Sequence, residues 1–285
     1  MKLSAFRRLV QLTSALFTNS FFASFITKTI NQNGLKGICV PLLNCYACPS
    51  AMFSCPIGTM EHFIAMRAIP FYLLGLIGIV GTVVGRMPCG WLCPFGFLQD
   101  LMHKIKSPKY RIPEVFTYLK YLVLAVLVIF IPFKTGDPWF SKLCPAGTLT
   151  AAIPWLLWNP TSPSTGQPIL PEAPGILFYV SLLILVCFLI WFVLSRRPFC
   201  RVACPLGAVL SLFNHYSMLR LEVKPQCDGC NTCETHCPMG LNVTTDIDSK
   251  DCIRCLECTR CQHVSTILPY SPYAATVEPS RKDSL

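Results

Sequence analysis

Residues 86–101 read RMPCGWLCPFGFLQDL, and a near copy, RPFCRVACPLGAVLSLF, occupies residues 197–213. Each copy follows an apolar run, and each has two cysteines separated by three residues, the second of which is followed by Pro-x-Gly. The same Cys-Pro-x-Gly ending begins at Cys55, Cys144 and Cys237. A chain with 18 cysteines that repeats one cysteine motif needs either disulfide bonds or metal to explain it.

The composition indicates a membrane protein. The chain is 53% hydrophobic and only 13% charged, whereas soluble domains carry about 25% charged residues. Four apolar runs are predicted to cross the bilayer, at residues 9–27, 64–85, 118–133 and 176–194, and the last is long enough to cross a core of about 30 Å. The first run is rich in hydroxyl groups, so an interfacial helix or a signal-like segment is the alternative there.

Basic residues alternate along the chain in a way that predicts orientation. The runs are flanked on one side by Lys2, Arg7, Arg8, Arg86, Lys104, Lys106, Lys109, Arg111, Lys120, Arg196, Arg197 and Arg201, and on the other only by Lys28, Lys36, Lys134 and Lys142. Because positive residues mark the cytoplasmic side, both termini are expected there. The net charge of +10 is then a topology signal, and a nucleic-acid partner is not expected.

These observations predict an all-α membrane bundle of four transmembrane helices in the cytoplasmic membrane of a prokaryote. Residues 1–219 are expected to form this domain, with an outer cysteine loop at residues 28–63. A cytoplasmic ferredoxin-like domain is expected at residues 220–270, and a C-terminal tail at 271–285. Cys187, alone among apolar residues of the last helix, is expected to be a core residue.

The cysteine spacing near the C-terminus is that of a bacterial ferredoxin with two [4Fe-4S] clusters. The first cluster is expected to be bound by Cys227, Cys230, Cys233 and Cys261, and the second by Cys237, Cys252, Cys255 and Cys258. The last gap is one residue short of the ferredoxin run, and Gln262 stands where proline is expected. Paired Cys-x-x-Cys motifs also suit structural zinc, which is the alternative.

The twin motif offers two thiols in each copy, and a cube needs four. Cys89 and Cys93 have the spacing of one helical turn, and Cys200 and Cys204 repeat it. We therefore predict a third [4Fe-4S] cluster shared by the two copies, with the glycine of each Cys-Pro-x-Gly allowing close approach of the backbone. Helix-end cysteines that merely share a loop type are the alternative.

The outer loop carries Cys39, Cys45, Cys48 and Cys55, with Cys144 on the same side of the predicted topology. The spacing lacks the histidine of a c-type haem motif. These four cysteines are predicted to bind a fourth cluster, with Cys144 able to replace one of them, and disulfide bonds are the alternative. Clusters on the two faces are expected to be separated by most of the bilayer core, so that a quinone or a partner's haem has to bridge them.

The paired CGWLCP and CRVACP motifs beneath membrane helices, followed by the double ferredoxin run, resemble the NapH/NosR-type ferredoxin-like membrane proteins. The resemblance covers most of the chain from about residue 64 and implies an iron–sulfur electron carrier. It implies exchange of electrons between the quinone pool and a redox protein partner such as a reductase, cytochrome or ferredoxin subunit, as in a quinol dehydrogenase. A cluster-containing reductase that assists assembly or metal handling of another enzyme is the alternative. No catalytic residue is predicted.

Overall fold

The computed structural model describes residues 3–159, 174–227, 229–247, 249–261 and 263–267. This part of the chain is mostly helical. The α-helices are α1 (Leu3–Thr18), α2 (Ser24–Thr27), α3 (Pro56–Ala65), α4 (Phe71–Val84), α5 (Met87–Trp91), α6 (Pro94–Met102), α7 (Leu119–Val123), α8 (Ile131–Thr135), α9 (Trp139–Leu143), α10 (Pro145–Gly147), α11 (Ile153–Trp158), α12 (Ile176–Leu194), α13 (Pro198–Val202), α14 (Pro205–Phe213) and α15 (Thr232–His236). Short 3-10 helices lie at Gly34–Gly37, Glu114–Tyr118 and Glu257–Arg260, and π-helical turns at Leu124–Phe130 and Thr148–Ala152.

A small antiparallel sheet holds the cysteine-rich C-terminal segment together. Its strands are β1 (Arg220–Val223) and β2 (Val264–Ile267), with Arg220 opposite Ile267 and Val223 opposite Val264. Because the two strands bracket the segment, they bring its beginning and its end side by side. The predicted tail at residues 271–285 and the position of Gln262 lie outside the described residues.

Two helices are long and apolar enough to cross a membrane: the continuous helix Glu114–Thr135, which includes α7 and α8, and α12. Their large apolar side chains face outward; Leu183 is 64% exposed and Ile190 58%. Such exposure is unfavourable in water but expected against lipid. Together with the composition, these two helices indicate a membrane protein.

The other two predicted runs form shorter helices than expected. In the first run, helix α1 begins before the run, at Leu3, and ends within it, at Thr18. The buried face of α1 carries Arg7 and Gln11 and is not an apolar stripe. In the next run, helix α3 ends at Ala65. Arg67 then adopts a left-handed conformation, and Pro70 precedes α4. Proline favours the start of a helix over its middle, so the apolar helix begins at Phe71.

A single hydrophobic core runs through the described part of the chain. It joins Leu43 of the outer cysteine loop, Phe95 and Leu206 of the twin motif, and Val243 and Ile253 of the C-terminal segment. The ferredoxin-like segment thus packs directly on the helical domain. Cys187 lies exposed on α12, so its expected place in the core is wrong.

Candidate metal centres

Four of the five Cys-Pro-x-Gly motifs begin a helix. In each, the cysteine is the N-cap residue and the proline follows at the first helical position: Cys55 before α3, Cys93 before α6, Cys144 before α10 and Cys204 before α14. Proline fits this position because its fixed φ suits a helix and its missing N–H is not needed there. The motif therefore presents a sulfur at a helix N-terminus, where backbone N–H groups favour a thiolate.

The two copies of the twin motif fold alike. In the first, Cys89 lies in the five-residue helix α5 and Cys93 caps α6; in the second, Cys200 lies in α13 and Cys204 caps α14. The two cysteines of a copy thus belong to successive helices, with a break between them, and not to the single helical turn that we predicted. The break occurs because Pro94 and Pro205 can start a helix but cannot continue one.

The four thiols of the twin motif lie together. All four are buried, and Cys200 and Cys204 are each close enough to thiols of the first copy to interact with them electrostatically. We call Cys89, Cys93, Cys200 and Cys204 the twin group. The N–H groups of Gly96 and Gly207 approach the sulfurs of Cys93 and Cys204 at 3.4 Å.

Two buried arginines join the copies by reciprocal hydrogen bonds. Arg86 begins the first copy and donates from Nη2 to the Cys200 carbonyl at 3.0 Å, while Arg197 begins the second and donates from Nη1 to the Cys89 carbonyl at 2.9 Å. The Arg197 fork also binds both oxygens of Asp100. Burial disfavours the ionised form of Asp100, but the Arg197 guanidinium outweighs it and lowers the pKa of this carboxyl group.

The C-terminal cysteines form two groups, crossed as the ferredoxin spacing predicts. One cavity is lined by four of the thiols, which we call the inner group: Cys237, Cys252, Cys255 and Cys258. Cys261 lies beside Cys230 and Cys233, and with Cys227 these residues form what we call the distal group. Burial raises the pKa of Cys252 to about 11 and that of Cys258 to about 12, so metal binding there has to displace protons.

The outer cysteines that lie together are not the four that the sequence predicted. Cys45, Cys55 and Cys144 line one small cavity, and Cys48 lies close to Cys45. These four residues form what we call the outer group. Cys39 does not line this cavity, and its thiol contacts the Thr59 hydroxyl at 3.2 Å. In the structure, Cys144 thus takes the place in the outer group that the sequence predicted for Cys39.

The four groups follow one another through the molecule. Cys55 of the outer group is near Cys93 of the twin group. Gly90, next to Cys89, lies so close to the inner group that a Cβ on it would be 2.6 Å from the Ile253 carbonyl and 3.5 Å from the Cys255 Cβ. Cys258 of the inner group is near Cys233 of the distal group. The wide gap that we expected between outer and cytoplasmic cysteines is absent from this row.

Buried positive charge surrounds the twin and inner groups. Six basic side chains in the described residues are buried: Arg7, Arg86, Lys120, Arg197, Arg201 and Arg254. Around them, the carboxylates of Asp100, Asp251 and Glu257 provide three negative charges. Buried charges need compensation, and thiolate-bound iron–sulfur clusters carry negative charge, so the surplus fits such groups.

Several residues that contact these sites were not predicted from the sequence. Arg7 and Gln11 on α1 both donate to the Gly90 carbonyl, and Arg7 also pairs with Glu257 at 3.2 Å. Asp251 pairs with Arg86 at 3.2 Å and with Lys120. The available signal was the occurrence of Arg7 and Gln11 four residues apart in an otherwise apolar helix, which places both on one face.

All 18 cysteines carry free thiols in the structure. In the described ranges, no three His, Cys, Asp or Glu side chains converge as they would around a single metal ion. In a [4Fe-4S] site each thiolate binds a different iron atom, so its ligands stand further apart than those of one ion. The four-thiol cavity of the inner group, and the twin group with its N–H donors and buried arginines, fit a cluster on this chemistry.

Comparison with known proteins agrees with these observations. Residues 68–113, 119–158 and 177–221 match the family described as "4Fe-4S binding domain". The uncharacterised protein MJ0750 of Methanocaldococcus jannaschii is 32% identical over 213 residues, which are 70% of this chain and 79% of that protein.

Two further relatives carry functional names. The methylamine utilization ferredoxin-type protein MauN of Methylobacillus flagellatus is 26% identical, covering 62% of this chain and 60% of MauN. The regulatory protein NosR of Stutzerimonas stutzeri is 27% identical, covering 68% of this chain and 25% of NosR. No solved structure matches the chain. With its twin cysteine motif, its ferredoxin spacing and these relatives, the chain belongs to the NosR/NapH-type family of ferredoxin-like iron–sulfur electron transport proteins.

Proposed function

We propose that the protein carries electrons along four [4Fe-4S] clusters, bound by the outer, twin, inner and distal groups in that order. A bound cluster of this kind takes up and releases one electron. The cysteines hold the clusters, and the Cys-Pro-x-Gly turns keep the sulfurs near backbone N–H groups. Arg86 and Arg197 offset the negative charge that the twin group acquires on binding iron.

The observation that carries this proposal is the continuity of the row. Each group lies near the next: Cys55 is close enough to Cys93, and Cys258 to Cys233, to interact electrostatically, and Gly90, next to Cys89, lies against Cys255. Electron tunnelling falls steeply with distance, so adjacent sites are what a conducting row requires. The exposed thiol of Cys230 places the distal group at the surface, where a redox protein can exchange electrons with it.

We further propose a multi-pass topology with both termini in the cytoplasm. The Lys/Arg distribution supports this orientation. So does the pairing of Arg7, near the start of the chain, with Glu257 of the ferredoxin-like segment, because it puts the two on the same side. At its other end, α1 reaches the outer cysteine loop, where the Thr18 carbonyl accepts from the Met52 N–H at 2.9 Å.

We propose that the electrons are exchanged with the quinone pool at the end of the row within the membrane. The outer group is the end opposite the exposed distal group, and it lies among apolar, lipid-facing helices. A membrane-soluble carrier suits that end, and a soluble redox protein suits the other. The test is anaerobic purification of the full chain, with iron analysis and EPR spectroscopy before and after addition of quinol.

We expect about 16 iron atoms per chain, four for each of four cubes. Quinol should reduce the clusters at a rate comparable to turnover of a respiratory enzyme. Stoichiometric zinc without visible absorption would contradict the iron–sulfur assignment. Clusters that ignore quinols but reduce a metal acceptor would favour the alternative role, a reductase that assists assembly or metal handling of another enzyme.

A further inference from the structure

A cavity of about 430 Å³ borders the outer group. Its wall is formed by the loop at Cys45, by residues of the segment from Pro138 to Leu156, and by the start of α12. Trp155 and Phe178 contribute aromatic rings to a lining that is mostly apolar. This size and this character are those of sites that bind small organic ligands.

The cavity and the outer group share a wall. Cys45, Tyr46, Ser141 and Gly147 line both the cavity and the smaller space among the thiols of Cys45, Cys55 and Cys144. At Gly147, an added Cβ would lie 3.4 Å from the Cys45 sulfur and 3.3 Å from the Ser141 carbonyl. A ligand in the cavity therefore borders Cys45 of the outer group.

The few polar groups on this wall are suited to a ligand that carries protons. The polar residues in a lining that is mostly apolar are Tyr46, Ser141, Lys142, Thr148 and Ser181. The Ser141 hydroxyl donates to the carboxylate of Glu61, which is fully buried and also accepts from the Phe140 N–H at 2.8 Å. This is a short hydrogen-bonded path from the cavity wall to a buried acceptor.

The edge of the cavity is accessible from lipid. Leu157 and Ile176, adjacent in sequence to residues of the wall, are 75% and 84% exposed. Both are large and apolar, and they lie at the end of the helical domain that is remote from the ferredoxin-like segment. A ligand dissolved in the bilayer can reach the site without crossing water.

We propose that this cavity is the binding site for a hydroquinone-class electron carrier, an inference that rests on the proposed function. The ring gives up two electrons, one at a time, to the outer group, and its two hydroxyl groups lose their protons as the quinone forms. One proton passes through the Ser141 hydroxyl to Glu61, and the other leaves to water on the side of the cavity lined by Lys142, which pairs there with the exposed Asp137. The aromatic side chains of Trp155 and Phe178 hold the planar ring.

The test fills the cavity without touching a cysteine. Ala151 is buried and lines it, so Ala151→Phe should obstruct the ring. Gly75→Phe is the matched control, because nothing lies within 4 Å of a Cβ added there. Full-length proteins with iron content checked are mixed with decylubiquinol or menadiol under anaerobic conditions, and cluster reduction is followed by absorbance. An azidoquinone photolabel, located by mass spectrometry, measures binding independently of electron transfer.

We expect Ala151→Phe to slow reduction by quinol about tenfold or more, as overpacking of a site does, while reduction by dithionite is unchanged. Label should fall on residues 138–156 and 174–181, and Gly75→Phe should behave like the wild type. Normal quinol reduction in Ala151→Phe, or label elsewhere, would overturn the site and leave the proposed function intact. A phospholipid chain that occupies the cavity and is not displaced by quinone would also overturn it. A wild type that dithionite reduces and neither quinol does would instead overturn the link to quinones.

Discussion

The two copies of the twin motif share a backbone and differ in what packs on them. Both have a five-residue helix, a cysteine cap and a nine-residue helix, and each donates an arginine to the other. The differences lie at equivalent positions: Gly90 against Arg201, Gln99 against Leu210, and Asp100 against Ser211. Where the first copy has Asp100 to bind Arg197, the second has Ser211, and Asp251 of the ferredoxin-like segment binds Arg86 instead.

This difference shows how the nearly symmetric twin group can pack against α1 and the ferredoxin-like segment, which are not repeated in the chain. Apart from Gln99, the residues that bind or support sulfur are the same in both copies. Unequal positions contact α1 and the ferredoxin-like segment, which are not part of the repeat: Gly90 meets Gln11 and Ile253, and Arg201 donates to the Met239 carbonyl at 3.2 Å. The two copies are thus similar at the residues expected to bind metal and different at residues that contact the rest of the protein.

The largest effect is expected when one cysteine of the twin group is replaced, in either copy. Neither copy has four thiols, so Cys89→Ser and Cys200→Ser should each remove the same cluster, with a loss of about four iron atoms per chain. Iron analysis and low-temperature EPR of the two variants in detergent should give matching results. Cys187→Ser, at an exposed thiol remote from the groups, is the control and should retain all the iron. Loss of different EPR signals in the two variants would show that the copies do not share a site.

The next largest effect is expected at the reciprocal arginines. Arg86→Leu leaves Asp251 with only Lys120 as its basic partner, and Arg197→Leu leaves Asp100 with only Arg7. Breaking a buried ion pair costs up to about 3–5 kcal/mol when no partner remains, so both variants should unfold at a lower temperature. Thermal unfolding in detergent measures this, with Arg111→Leu as the control because Arg111 is 84% exposed. An arginine that can be replaced without any change in unfolding temperature would not join the two copies.

A smaller effect should follow from making the docking position of the first copy larger. In Gly90→Ala the new Cβ meets the Ile253 carbonyl, so the inner group should be pushed away from the twin group at a cost of about 1–3 kcal/mol. Flash reduction followed by spectroscopy should show slower electron passage between the two clusters. Gly75→Ala adds the same methyl group in open space and should leave the rate unchanged. If both variants transfer electrons equally fast, the close approach at Gly90 is not part of the path.

The smallest effect is expected from the one unequal position that touches sulfur. Gln99 donates from Nε2 to the Cys200 sulfur at 3.2 Å, and Leu210, its equivalent, has no donor to offer. A hydrogen bond stabilises the more negative, reduced cluster, so Gln99→Leu should lower the midpoint potential of the twin cluster and Leu210→Gln should raise it. EPR-monitored redox titration measures both shifts. Equal potentials in the wild type and both variants would leave Gln99 with only a packing role.

The sequence was most informative where the ligands are close together along the chain. The crossed grouping of Cys237 with Cys252, Cys255 and Cys258 could be predicted because the ferredoxin spacing wraps each cluster locally. The inclusion of Cys144 in the outer group, and not Cys39, could not. It depends on how α9 packs against α3, through Glu61 and the N–H groups of Phe140 and Ser141, and no local spacing encodes that.

The predicted bilayer-wide gap between outer and cytoplasmic cysteines failed for a related reason. Hydropathy fixes which segments enter the membrane, but not how deeply a loop between them folds inward. Leu43 of the outer loop is buried in the same core as Phe95 and reaches Cys93 with its backbone N–H. The outer group is therefore brought toward the twin group by an irregular loop that packs into the same hydrophobic core.

The reciprocal arginines also bear on the origin of the chain. Arg86 contacts the Cys200 carbonyl while Arg197 contacts the Cys89 carbonyl, which is the pattern of an isologous contact between two identical subunits. A shorter ancestral polypeptide with one copy of the motif would have completed its four-thiol site only as a homodimer. Fusion of two such copies into one chain would free each half to diverge. We expect a chain cut after residue 158 to keep its outer cluster as a monomer but to bind the twin cluster only as a dimer, which iron analysis and mass measurement in detergent would reveal.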